Sequence, residues 1–167
     1  VNGEPKTLSL KEILRNYVDF QVDVITRRTI FDLKKAEERA HVLEGLKKAI
    51  DFIDEVISII RSSKDQPTAK QRLGERFELD EIQTQAIVSM RLGQLSGLER
   101  TKIEDELGQL NIKIADFKDI LQNSERLLSI IKEEALAIKK KYNDERRTEI
   151  VAVSGEVDIE DLIPEED

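Results

Sequence analysis

The chain has 167 residues, of which 37% are charged and 4% are aromatic, and its net charge is −8. This composition is typical of long exposed helices with narrow apolar stripes, and the acidic balance argues against tight DNA binding, which usually requires clustered Lys and Arg. The absence of cysteine excludes disulfides and thiolate metal sites. With no membrane-length apolar run and no signal-peptide pattern, we expect a soluble cytoplasmic protein. A first residue of Val1 suggests a fragment of a longer chain.

The first predicted helix follows a polar lead-in over residues 1–8 and covers residues 9–44. Ser9 and Glu12 have the spacing of a capping box, in which each side chain satisfies the backbone amide of the other residue. Apolar residues then recur at helical spacing on two successive lines, so the buried side rotates along one long helix. The first line contains Ile13, Tyr17, Phe20, Val24 and Phe31, and the second contains Leu33, Ala36, Ala40 and Leu43. Gly45 indicates a break or kink after this helix.

Residues 45–97 are predicted to form a compact helical knob. Its first helix has apolar residues in steps of four and three, namely Leu46, Ile50, Ile53, Ile57 and Ile60. Two further capping boxes, at Thr68–Gln71 and Asp80–Gln83, predict a short helix ending near Phe77 and another helix over residues 81–95. Gly97 then fits the left-handed position that often follows the end of a helix.

The strongest periodic signal predicts a return helix over residues 98–143. The helix has a line of residues in steps of four and three for more than five heptads, which is the pattern of a coiled-coil seam. The seam contains Ile103, Leu107, Leu110, Ile114, Phe117, Leu121, Ser124, Leu128, Ile131, Ala135, Ile138 and Tyr142, and only Ser124 and the small Ala135 weaken it. Such a seam requires a partner, and the first helix is the only long candidate. We therefore predict an all-α fold, a long antiparallel two-helix coiled-coil stalk capped by the small helical dimerisation knob, followed over residues 144–167 by a short strand and an acidic linker.

Residues that could form an active site are hard to find. His41 is the only histidine and the chain has no cysteine, so packing explains it far better than metal binding does. Tyr17 and Tyr142 fall on the apolar stripes near the open end of the predicted stalk, where packing is again the ordinary role, and neither has a nearby base. The basic spots of the first helix alternate with acids, which favours i,i+4 ion pairs over a DNA-contacting strip. These spots are Arg27-Arg28, Lys34-Lys35 with Arg39, and Lys47-Lys48.

The helix predicted over residues 81–95 is the one segment that looks dedicated to a partner. Apolar residues occupy nearly all of its sides, whereas an exposed helix needs only one apolar stripe. Either the knob wraps around this helix completely, or one side faces a second copy of the chain across a two-fold axis, which is the interpretation we favour. The predicted dimer interface comprises Ile82, Ala86, Ile87, Met90, Arg91, Leu92 and Leu95.

Several motifs of this chain resemble the A-type chains of type IIA topoisomerases, and together they cover nearly its whole length. They are Val1–Pro5, Arg27–Thr29 with Phe31, Lys35–His41, Leu43–Leu46, Asp54–Ile57, Ile60–Ser63, Gln85–Leu92, Leu95–Glu99 and Asp144–Ile150. The opening motif and the closing Glu-Asp-Leu-Ile-Pro-Glu-Glu favour the family of DNA gyrase A subunits, with the A-type chain of topoisomerase IV as the close competitor. Two residues depart from the usual pattern, since Ser89 stands where the family usually has aspartate and Ser96 where it usually has threonine.

The resemblance implies an ATP-dependent enzyme that cuts one DNA duplex, passes another through the break and introduces negative supercoils. It also implies that the nucleophilic tyrosine lies upstream of Val1, that ATP and magnesium bind to the B subunit of gyrase, and that a DNA-wrapping domain follows the acidic linker. This chain then corresponds to the exit gate, or C-gate. There, two knobs form a homodimer that encloses the transported double-stranded DNA, and they part to release it.

Two interpretations from other functional classes stay open. A generic coiled-coil scaffold, or a chaperone-like arm, predicts a monomer whose exposed apolar tip grips a protein client. A DNA-binding arm predicts clustered basic residues, and the net acidity of the chain counts against it.

Overall fold

The computed structural model describes residues 3, 5–91 and 97–149, apart from the side chain of Leu98. The described residues form six helices: α1 (Leu10–Asp51), α2 (Ile53–Ser62), α3 (Gln66–Phe77), α4 (Glu81–Val88), α5 (Gly97–Gln122) and α6 (Ser124–Tyr142). No strand occurs among these residues, so the all-α prediction is confirmed. Nearly all of the region predicted to hold a short strand lies outside the described residues. The chain divides into two compact units, residues 1–133 and residues 134–167, and the contacts below belong to the first unit.

Helix α1 begins at the predicted capping box and is longer than the sequence indicated. The Ser9 amide donates to Glu12 Oε2 at 2.8 Å, and the Glu12 amide donates to Ser9 Oγ at 3.4 Å. The helix then continues for 42 residues without a break at Gly45. The expected break is wrong because the glycine is required for packing: a Cβ at this position would lie 2.8 Å from the Cβ of Gln83. Gly45 therefore lets α4 cross closely over α1.

Helix α3 starts earlier than predicted and ends on a left-handed residue. Its cap is Asp65, whose Oδ1 accepts from the Thr68 amide at 2.9 Å, so the predicted box at Thr68–Gln71 is wrong. Pro67 occupies the first turn, where a missing amide hydrogen costs nothing. Glu78, with φ 52° and ψ 49°, ends the helix, and the Leu79 amide donates to the Gly74 carbonyl at 3.1 Å.

Helix α4 begins as predicted and ends well before residue 95. Asp80 Oδ1 accepts from the Gln83 amide at 2.8 Å, and Gln83 Oε1 accepts from the Asp80 amide at 3.3 Å, which confirms the capping box. The helix stops at Val88, where Ser89 is the C-cap and its hydroxyl accepts from the Gln85 side chain. The predicted extent of 81–95 is therefore wrong. Gly97 opens α5, so it does not end the helix that precedes it.

The predicted return helix is divided at Asn123. Its side-chain Oδ1 accepts from the amides of Glu125 at 3.0 Å and Arg126 at 3.3 Å, which is how an N-terminal cap begins a new helix. The backbone bonds from Asn123 to Asp119 and from Leu127 to Asn123 keep helical spacing across the division. The prediction of one helix over residues 98–143 is therefore wrong at Asn123, because the local side-chain bonds of this residue divide the helix in two.

Helices α1 and α5 pack antiparallel. Residues late in α1 contact residues early in α5, as in the ion pairs Asp51–Arg100 at 2.6 Å and Arg39–Glu106 at 2.7 Å. Toward the other end, Ile25 forms an apolar cluster with Ile120 and Leu127. The short helices α2, α3 and α4 together form the knob. A second apolar cluster joins the knob to α1, and it contains Ala49, Val56, Leu73, Phe77 and Ile87. The knob therefore packs on the end of α1 where Asp51 meets Arg100.

Candidate self-association surface

The structure distributes the seven predicted interface residues over different environments. Ile87 is buried in the core of the knob, Ile82 is 62% exposed, and Arg91 is exposed. Ala86 and Met90 are half-buried. Leu92 and Leu95 lie outside the described residues. Apolar residues therefore lie on several sides of α4 for two reasons. One side packs into the core of the knob, and the other sides line separate grooves.

One apolar groove lies between α2 and the end of α4. It has a volume of about 410 Å³ and is lined by Ala49, Ile53, Val56, Ile57, Ile60, Arg61, Ile87, Val88 and Met90. The sequence indicated burial of the isoleucines of α2 on a wide arc, but only Val56 of this helix is buried. Ile60 is 37% exposed. Among the described residues nothing covers this groove, so it presents branched apolar side chains to solvent. Their 4-3 spacing was visible in the sequence, whereas their exposure depends on how α2 packs.

A second groove runs on the other side of α4, where Ile82 meets α1 and α5. Its volume is about 740 Å³, and its lining includes Glu37, Glu38, His41, Glu44, Asn111, Ile114 and Lys118. Lys118 Nζ lies 2.8 Å from a carboxylate oxygen of Glu37, so part of the acidic charge is paired. Ile82 and the α2 isoleucines therefore line different grooves. The described residues contain no group of three or more His, Cys, Asp or Glu that could hold a metal ion.

A polar network fixes α4 against α1. His41 Nε2 lies 2.6 Å from Asp80 Oδ2, and Gln83 Nε2 donates to the His41 carbonyl oxygen at 2.8 Å. The Gln83 backbone amide is the main cause, and the His41 side chain the second, of a pKa of Asp80 below the ordinary value for aspartate. His41 therefore has a packing role, as predicted, and it is held by a hydrogen bond to Asp80, the N-cap residue of α4. Lys48 Nζ also donates to the Phe77 carbonyl oxygen, which ties α1 to the end of α3.

Comparison with known proteins connects this arrangement to a family. The family model that describes the A chains of DNA gyrase and topoisomerase IV matches residues 1–136. The chain belongs to this family. Proteins named as A subunits of DNA gyrase are 56% identical in Halalkalibacterium halodurans, over 98% of this chain, and 53% identical in Clostridium acetobutylicum, over 99% of it. The protein of that name from Mycobacterium tuberculosis is 48% identical over the whole chain. The predicted resemblance is confirmed, and the chain spans about 20% of the length of each of these relatives.

Several basic residues of α1 in this gyrase/topoisomerase IV family member are paired with acids. Arg27 lies 2.5 Å from Asp23 and Lys34 lies 3.9 Å from Glu38, which confirms the predicted i,i+4 pairing at these positions. Arg39 instead crosses to Glu106 of α5 with two hydrogen bonds. That contact raises the pKa of Arg39 and lowers the pKa of Glu106. The pairing reduces the field that α1 can present to DNA.

The structure also shows the environments of the two tyrosines and of Ser89. Tyr17 in the first unit and Tyr142 in the second unit are each more than half exposed. Lys141 Nζ lies 5.0 Å from the ring centroid of Tyr142. Ser89 is the C-cap residue at which α4 ends. In addition, no helix in the described part of the chain is long and apolar enough to cross a membrane.

Proposed function

We propose that this chain is the exit-gate arm of the A-type chain of a DNA gyrase. The antiparallel pair of α1 and α5 acts as a coiled-coil stalk, and the knob joins a second copy of the chain to close the gate. The gate encloses a transported DNA duplex and releases it when the two knobs part, during ATP-dependent negative supercoiling. The equivalent arm of topoisomerase IV is the alternative within the family.

The observation that carries this proposal is the apolar groove of the knob, which no part of the described chain covers. A groove lined by Ile53, Ile57, Ile60 and Met90 is costly to leave in water, at ~25 cal/mol for each Å² of apolar surface. It lies on the part of the chain that packs at one end of a long helix pair, in a member of the gyrase/topoisomerase IV family. A self-associating tip on a stalk is the arrangement that a gate requires.

The charge of the arm supports a passing contact with DNA. The chain carries 35 acidic and 27 basic residues, and Arg27, Lys34 and Arg39 of α1 are held in ion pairs. Phosphate binding strengthens with the number of unpaired cations that the DNA meets. A wall with few such cations lets a duplex leave the cavity once the gate opens.

The chemistry of the whole enzyme is proposed to lie outside this chain. We place the nucleophilic tyrosine in the part of the gyrase polypeptide that precedes residue 1. ATP and magnesium are assigned to the B-type chain of gyrase, which is the proposed partner of this arm in the full enzyme. The proposed role of the chain is mechanical, so it requires no cofactor of its own. The proposed location is the cytoplasm, where the bacterial chromosome lies.

Self-association of the 167-residue chain tests the proposal. Sedimentation equilibrium at tens of micromolar should give a dimer, and Met90→Glu should shift it to monomer by placing a charge in the groove. Ile112→Glu is the matched control, because Ile112 is 72% exposed on α5. It should leave the dimer intact.

Three outcomes would contradict the proposal. A monomeric wild-type chain favours the scaffold or chaperone-like arm, whose tip grips a protein client. A dimer that Ile112→Glu weakens as much as Met90→Glu does would remove the knob from the interface. A fluorescence titration with a short duplex at physiological salt should detect no tight binding, and tight binding would support the DNA-binding arm instead.

A further inference from the structure

The exposed face of α2 has a charge pattern that is complementary to itself. Asp54, Ile57, Ser58 and Arg61 line one shallow depression on this face. Asp54 and Arg61 are two helical turns apart, which places them on the same side of α2 about 10 Å from each other. Ile57 and the small Ser58 lie midway between the two charges.

Among the residues that the structure describes, Asp54 and Arg61 lack the ion pairs that their neighbours form. Glu55 lies 2.5 Å from Arg76 of α3, and Asp51 lies 2.6 Å from Arg100 of α5. Within the described part of the chain, neither Asp54 nor Arg61 has such a partner. Both are exposed. The outer face of α2 therefore presents one free acid and one free base, with an apolar residue between them.

We propose that α2 pairs antiparallel with α2 of a second copy, across a two-fold axis that passes near Ile57 and Ser58. This inference rests on the proposed gate function, and it locates the contact between the two knobs on α2 instead of the α4 face that carries Ile82. In this arrangement Asp54 of each copy lies opposite Arg61 of the other copy. A parallel pairing would place like charges together at both ends, which is unfavourable.

The same pairing covers the apolar groove. Ile53 and Ile60 flank the charged stripe of α2, and Val88 and Met90 form the opposite wall of the groove. Ser58 at the axis has a small side chain, so the two helices can approach closely. The antiparallel contact thus covers the half-buried Ile57 and the exposed Ile60, and it supplies a partner for both Asp54 and Arg61.

A charge-reversal cycle tests the register of this contact. Asp54→Arg and Arg61→Asp should each raise the dimer dissociation constant of the 167-residue chain about tenfold, because each places two pairs of like charges across the axis. The double variant should return the constant to within about threefold of the wild type, since both pairs reform in reverse. Asp105→Arg on α5 is the matched control, because it makes an equal charge change at an exposed site.

The outcomes separate the two proposals. A wild-type chain that is monomeric overturns both of them. A wild-type dimer whose dissociation constant responds to Asp54→Arg and Arg61→Asp no more than to Asp105→Arg overturns the α2 contact, while the gate proposal stands. Two single variants that weaken the dimer, without recovery in the double variant, overturn the antiparallel register.

Cross-linking provides a second measurement that does not depend on charge. The chain has no cysteine, so a single introduced thiol reacts only at the chosen position. Ser58→Cys should form covalent dimers with a short thiol cross-linker, because the two copies of this position meet near the axis. Ser124→Cys is the control, at an exposed serine where α6 begins. Equal yields for the two variants would overturn the contact.

Discussion

Gly45 and Gln83 are in such close contact that no other residue fits at position 45 without a shift. A Cβ on Gly45 would lie 2.8 Å from Gln83 Cβ and 2.9 Å from Gln83 Cγ. Gln83 is itself 7% exposed, and its amide donates to the His41 carbonyl oxygen. The crossing of α1 and α4 therefore depends on the absence of one side chain.

Gly45→Ala is predicted to destabilise the chain. Alanine in a helix interior ordinarily gains ~1 kcal/mol over glycine, but here the overlap with Gln83 forces α4 away from α1, and overpacking of this kind costs ~1–3 kcal/mol. We expect the free energy of unfolding in urea to fall by ~1 kcal/mol. Gly108→Ala is the control, because a Cβ at Gly108 meets nothing within 4 Å. It should stabilise the chain, and a similar gain at Gly45 would contradict the close crossing.

Glu78→Gly is predicted to stabilise the chain. Glu78 holds φ at 52°, a left-handed conformation that costs a residue with a side chain ~1 kcal/mol and costs glycine little. The melting temperature should therefore rise by a few degrees. Glu75→Gly, at a helical position in the last turn of α3, is the matched control and should lower it, because it adds a glycine to the helix and removes the hydrogen bond that Glu75 accepts from Gln71. A loss of stability in Glu78→Gly would mean that the left-handed cap is not the dominant effect.

The beginnings of helices that carry a local capping motif could be predicted from the sequence. Features that depend on contacts between residues distant in sequence could not. The boxes at Ser9 and Asp80 were visible because each cap bonds to a residue three positions later. The helix break predicted at Gly45 is wrong because the residue that requires this glycine, Gln83, is distant in sequence. A glycine that ends a helix and a glycine that allows a second helix to pack closely have the same local sequence pattern.

The candidate interface shows the same limit. The spacing of Ile53, Ile57 and Ile60 indicated an apolar arc on α2, but which part of that arc stays exposed depends on α3 and α4 packing against its other side. Ile87 contributes to the apolar character of α4, but the structure places it in the core of the knob. Periodicity gives the angular position of a side chain, and only the tertiary contacts decide whether it meets its own chain or a partner.

A double-mutant cycle on Arg39 and Glu106 is predicted to detect the antiparallel packing of α1 and α5. The two hydrogen bonds, at 2.7 and 2.9 Å, form a bidentate contact between helices. Because both side chains are partly exposed, we expect a coupling free energy of only ~0.5–1 kcal/mol from the alanine variants, decreasing at high salt. The i,i+4 pair Asp23–Arg27 is the reference and should give ~0.3–0.5 kcal/mol, also from urea unfolding. A coupling of zero would indicate that the two helices do not hold this register in solution.

The bond between His41 and Asp80 should make the stability of the knob depend on pH in the acid range. Because the pKa of Asp80 is lowered in the folded chain, first by the Gln83 amide and then by His41, its carboxylate stabilises the fold above the ordinary aspartate value of 3.8. That contribution is lost as the pH falls through the lower folded value. Asp80→Asn keeps a capping side chain but removes the charge, so it should be less stable than the wild type at neutral pH.

Urea unfolding midpoints of the two proteins between pH 7 and about pH 2.5 measure this effect. The difference between wild type and Asp80→Asn should shrink as the pH falls below about 4, where the unfolded carboxyl is protonated. Asp105→Asn, which removes a carboxylate at an exposed position of α5, is the matched control. A difference for Asp80→Asn that does not change with pH would show that the carboxylate caps α4 through its shape and not through its charge.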